Sequence, residues 1–148
     1  MAKFLNRLVH ETLVLAGPHP IHREWSSRYC QQILPGSGED RKPDIILIDK
    51  GACEDWRNVI TLAEMKGNSV DPKSPTWFDE VARRANTLYA SQDSRSFVIT
   101  LQFVGDRFSF VAVDRGGSIC LDMLGIQEDS EEYLRLVLFF SLADRGEW

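Results

Sequence analysis

Apolar positions near the start of the chain recur at helical spacing. Phe4, Leu5, Leu8, Val9, Thr12, Leu13 and Ala16 share one broad face, which predicts a helix over residues 3–16 that Gly17-Pro18 stops. Residues 22–34 place Trp25, Tyr29 and Ile33 four apart but have no clear cap at either end, so their type stays open. Turn-forming residues over 35–40 mark a loop. Residues 44–49 and 58–66 carry Ile, Leu and Val at positions of both parities, as expected of central strands covered on two sides, and the eight residues between them make a hairpin connection. A loop over 67–75 leads to a helix over 76–91, with Val81, Ala85 and Leu88 on one face. Two strands follow over 95–104 and 107–113. The Asp114-Arg115-Gly116-Gly117 turn leads into a third near 118–121, and a last helix covers 130–143. The fold class is α/β (α+β), with a central mixed sheet flanked by helices, and residues 1–148 are expected to form one domain.

The hairpin pattern also sets a register. If Asp49 faces Val59, residue numbers across the two strands sum to a constant and Asp44 falls opposite Glu64. Cross-strand partners stand ~5 Å apart at Cβ, where like charges destabilise a sheet unless something offsets them. Glu64 and Lys66 are two apart and leave the same face. Two facing carboxylates and a neighbouring ammonium are what a divalent-cation site needs. Asp44 and Glu64 would hold Mg²⁺ or Mn²⁺, and Lys66 would position or deprotonate the attacking water, which implies phosphodiester hydrolysis. The plainer alternative is a solvated strand end with an exposed ion pair worth less than ~1 kcal/mol.

Composition narrows the choice only in part. The chain is 43% hydrophobic and 26% charged, with a formal net charge of -5, which argues against a sequence-independent electrostatic grip on nucleic acid. A local basic groove is still compatible with that balance, with Arg83, Arg84 and Arg95 as its candidates; charge on the outer side of a helix is the commoner reason for such residues. Cys30, Cys53 and Cys120 form no CxxC pair and suit a reducing compartment. The longest apolar run, 136–142, falls far short of the ~20 residues of a membrane span, and polar residues interrupt any signal-peptide core near the start. The expected location is intracellular, in cytoplasm or nucleus. His19 and His22 lack further ligands at zinc-site spacing, and Trp25, Trp56 and Trp77 read as packing residues. Tyr133, Leu136, Val137 and Phe140 form either core or an interface, so a homodimer or a partner protein bound through the last helix is a second expectation.

Pro43-Asp44 followed by Glu64-Met65-Lys66 resembles the PD-(D/E)XK nuclease signature. A longer set of segments resembles the part of the fungal-type protein kinase family that lies ahead of its kinase domain. These are Arg41-Lys42-Pro43-Asp44-Ile45-Ile46-Leu47, Trp56, Leu62-Ala63-Glu64-Met65-Lys66, Ala90-Ser91-Gln92, Arg95-Ser96-Phe97-Val98 and Val113-Asp114-Arg115-Gly116-Gly117-Ser118-Ile119. The likeness runs from about Lys42 onward. It implies a PD-(D/E)XK nuclease-like core, a third metal-shell acid from the first helix at Glu11, and supporting roles for Gln92 and Arg95. It also implies a rival to catalysis, namely a non-catalytic regulatory or protein-binding domain. These 148 residues hold no Gly-rich phosphate loop, no Val-Ala-Ile-Lys, no His-Arg-Asp and no Asp-Phe-Gly, so phosphotransfer by them is not expected.

Overall fold

The computed structural model describes residues 1–17, 19–69, 71 and 74–143. Its elements are α1 (Ala2–Ala16), β1 (Arg23–Ser26), β2 (Ile45–Asp49), a 3₁₀ turn (Trp56–Asn58), β3 (Thr61–Lys66), α2 (Pro75–Ser91), β4 (Phe97–Val104), β5 (Arg107–Asp114), β6 (Ser118–Cys120), β7 (Leu124–Gly125) and α3 (Ser130–Leu142). The strands form one mixed sheet in the order β1-β2-β3-β4-β5-β6, with β7 also paired to β5. Every pairing is antiparallel except β3 with β4. That parallel step needs a long crossover, and α2 supplies it.

Alternation along the strands divides the core between the two faces of the sheet. Ile45, Leu47, Ala63, Leu101 and Phe103 pack with Leu5, Val9 and Leu13 of α1 and with Tyr133, Val137 and Phe140 of α3. Ile46, Ile48, Leu62 and Val98 face the other way, onto Ala85 and Leu88 of α2 and the indole of Trp56. Trp77 and Val81, at the start of α2, continue this layer onto Val104 and Val111. So α1 and α3 cover one face and α2 covers the other. Most of α3's apolar stripe is spent on the sheet, with Phe139 left 48% exposed.

The open segment resolves into strand β1, too short and too polar on alternate positions to show as one. Its outer edge is covered by Asn6 of α1, whose amide donates to the Trp25 carbonyl and accepts from the Trp25 N–H, both at 2.8 Å. That pair satisfies the backbone groups an edge strand would otherwise leave bare. The strand expected from residue 58 starts at Thr61, because 56–58 wind into the 3₁₀ turn that Asp55 caps through the Arg57 N–H. β7 was not expected. The helix stop at Gly17 is observed, with φ 112° and its N–H bonded to the Leu13 carbonyl; Pro18 lies outside the described residues.

Candidate functional site

The register expected for the hairpin is the one the fold adopts. Ile45 pairs with Ala63, Ile46 with Leu62 and Leu47 with Thr61, so one step further Asp44 comes abreast of Glu64. Strand parity then places Asp44, Glu64 and Lys66 on the face that α2 covers. Across the parallel pairing, buried Gln102 of β4 stands beside Glu64, its amide donating to the Thr100 hydroxyl at 2.9 Å.

α2 completes the cluster. Ser74 caps it through the Trp77 N–H, Pro75 sits in its first turn, and Trp77, Val81, Ala85 and Leu88 form its buried stripe. Glu80 and Arg84, four apart, flank that stripe and reach the end of β3. Arg84 Nε donates to Glu64 Oε1 at 2.7 Å, and its Nη2 donates to the Lys42 carbonyl at 3.1 Å. Lys66 Nζ lies 2.9 Å from Glu80 Oε1 but 4.0 Å from Glu64 Oε2. Asp44 Oδ2 accepts the Met65 N–H at 2.7 Å.

Glu64 is 2% exposed. Burial pushes its carboxyl up to about 7, against the pull of Arg84; the nearby Asp44 and Glu80 push the same way as burial. Glu64, Glu80, Arg84 and Lys66 therefore interlock at one end of β3 beside Asp44, with Glu64 poised to bind a proton near neutrality.

Not every expected residue joins them. Glu11 does not, because α1 packs on the opposite face of the sheet; its carboxylate is exposed and accepts from Arg7 one turn earlier at 2.7 Å. Gln92 and Arg95 lie at the start of β3, not its end. The Gln92 amide donates to the Trp56 and Val59 carbonyls, both at 2.8 Å, and accepts from Arg95 Nη1. Arg95 also donates to the carbonyls of Phe97, Val59 and Ile60. Four residues of extended strand, roughly 13 Å, separate that end from Glu64. Arg84, expected on the outer side of its helix, is 11% exposed at its side chain. Glu80 was not anticipated, although its spacing from Arg84 beside an apolar stripe was a readable signal.

These contacts bear on a divalent ion. Arg84 holds Glu64 Oε1, a backbone N–H holds Asp44, and Lys66 holds Glu80. Among the described residues no group of three His, Cys, Asp or Glu side chains could hold a metal ion. Arg84 takes Glu64 Oε1, so an ion shared between Asp44 and Glu64 would meet Glu64 at Oε2, which lies 4.0 Å from Lys66 Nζ.

The model of the fungal protein kinase family matches residues 42–147, well over half of the chain. The chain belongs to the fungal protein kinase family. No curated protein and no solved structure matches it. The family match begins at Lys42, whose carbonyl Arg84 binds, and spans the whole Glu64 cluster while leaving out α1. No helix among the described residues is long and apolar enough to cross a membrane.

Proposed function

We propose that this chain serves the fungal protein kinase family as a non-catalytic regulatory or protein-binding domain, built on a PD-(D/E)XK nuclease-like core whose acidic cluster works as an internal ion-pair lock. The observation that carries this reading is the 2.7 Å contact from Arg84 to the buried Glu64 carboxylate. A hydrolytic site would turn that carboxylate toward an ion and water. Here it is tied to α2, and through the Arg84 contact with Lys42 the same guanidinium pins the approach to β2. Breaking one side of such a buried pair is expensive, so the arrangement suits a structural tie better than a site that must load and release a metal.

A second reading keeps phosphodiester hydrolysis of nucleic acid, with Asp44 and Glu64 on Mg²⁺ or Mn²⁺ and Lys66 serving the water. The alignment of Asp44 with Glu64 favours it. Calorimetry with Mn²⁺ and hydrolysis assays on single- and double-stranded DNA and RNA separate the two. The regulatory reading expects no saturable heat and no cleavage by the wild type. Cleavage that disappears in both Glu64→Ala and Lys66→Ala would overturn it.

A further inference from the structure

At the other end of β3, where Arg95 and Gln92 gather the carbonyls of the 3₁₀ turn, lies a polar cavity of about 340 Å³. Its walls include Arg23, Arg57, Asn58, Ser94, Arg95 and Ser96, and among the described residues no acidic side chain lines it. Three arginines around one hollow are out of keeping with a chain of net charge -5.

The three differ in how their charge is answered. Arg23 lies 3.8 Å from Asp49 and donates to the Phe140 carbonyl. Arg57 forks onto Asp55 through Nε and Nη2 at 2.8 and 2.7 Å, which leaves its Nη1 edge uncommitted. Arg95 pairs with no carboxylate among the described residues. Its Nε donates to the Phe97 carbonyl, its Nη1 to the Val59 carbonyl and the Gln92 amide oxygen, and its Nη2 to the Ile60 carbonyl, leaving one Nη2 proton. Burial lowers its pKa to about 10, so it is still charged at neutral pH. A largely buried cation answered only by carbonyl dipoles is short of a counter-charge.

We propose that this cavity is an oxyanion site that takes a phosphate monoester, either free or carried on a phosphorylated side chain. Arginine donors match phosphate oxygens, and hydroxyls complete such a shell. Arg57 Nη1 and Arg95 Nη2 supply cationic donors, and the exposed Ser94 and Ser96 offer hydroxyls that bond to nothing else among the described residues. The cavity is larger than the phosphoryl group alone, leaving room for whatever is esterified to it. The site shares no residue with the Glu64 cluster, so it stands or falls apart from the regulatory reading.

The test follows backbone amide shifts of the full chain by NMR during titration with inorganic phosphate, and with a phosphoserine peptide beside its unphosphorylated twin. Sodium chloride at matched ionic strength is the control. Saturable shifts at Asn58, Ser94, Arg95 and Ser96 are expected with phosphate or the phosphopeptide and not with chloride. Tighter binding of the phosphopeptide identifies a protein-borne group as the source, and binding of inorganic phosphate alone identifies a free one. Arg57→Ala should weaken binding roughly tenfold or more. Because Arg57 also pairs with buried Asp55, Ser96→Asp provides a second variant that puts a negative charge at the exposed wall without touching that pair; it should weaken binding by a similar factor. Shifts equal to those of chloride, or affinities unchanged in both variants, would overturn the proposal.

Discussion

Neutralising Glu64 gives the most direct measure of how far burial governs the acidic cluster. The carboxyl titrates near 4.5 when unfolded and is pushed up to about 7 in the fold, with burial the leading cause and Arg84 opposing it. The folded state therefore binds the proton more tightly, and between those values it carries protons that the unfolded chain has released. Stability then falls as pH rises: the Glu64 contribution is fully present below about 4.5 and lost as pH climbs through about 7. At roughly 1.4 kcal/mol per tenfold in proton affinity, the gap amounts to about 3 kcal/mol. The side chain is 3% exposed, so solvent screens little of this difference. The perturbation is Glu64→Gln, which keeps the shape and removes the titration. Urea unfolding of both proteins at several pH values from 4.5 to 8.5 is the assay. The wild type should lose about 3 kcal/mol relative to Glu64→Gln across the range, equivalent to roughly 6–12 °C of melting temperature. Parallel pH profiles would refute the reasoning, showing that Arg84, Lys66 and local relaxation keep Glu64 an ordinary carboxylate despite its burial.

Two further outcomes rest on packing and backbone geometry. Trp56 is fully buried among Leu34, Ile46, Ile48 and Leu62, so Trp56→Ala should cost about 3–5 kcal/mol in chemical denaturation, most of it from the cavity left behind. A loss under ~1 kcal/mol would mean that the second core layer collapses into the gap. Gly105 opens the two-residue β4–β5 connection at φ +60° and a Cβ there would run into the Asn68 side chain, so Gly105→Ala should lower stability by about 1–2 kcal/mol with the sheet intact by circular dichroism. Unchanged stability would show that the turn tolerates another backbone conformation.

The parts of the fold that could be read from sequence are those whose burial repeats over several residues. α2 and α3 show helical stripes that match their buried positions, α1 buries Leu5, Val9 and Leu13 of its expected face but leaves Phe4 and Ala16 exposed, and β2 through β5 lie within a residue or three of their expected limits. β1 was not readable because only Arg23 and Trp25 are buried within it, and Trp25, Tyr29 and Ile33 fall by chance at helical spacing. It is a strand because β2 offers an edge and Asn6 occupies the outer side of Trp25, a partnership across nineteen residues that no local pattern displays. β7 spans two residues, fewer than any period can mark.

The acidic cluster shows the same divide more sharply. Period-two alternation was enough to put Asp44, Glu64 and Lys66 on one face, and the symmetric hairpin was enough to align the first two. Neither says which helix lies over that face. The resemblance supplied Glu11 from α1, while the answer comes from the crossover: β3 and β4 run parallel, so the helix joining them must lie against the sheet beside β3. The first helix, packed with α3, takes the other side. Once α2 is placed there, the residues flanking its apolar stripe near its middle, Glu80 and Arg84, must meet the end of β3. The same placement removes water from Glu64 and so raises its pKa, and only a cation as close as Arg84 keeps a buried carboxylate affordable at neutral pH. The burial that makes Glu64 resemble a reactive acid thus also calls in the arginine that ties it down.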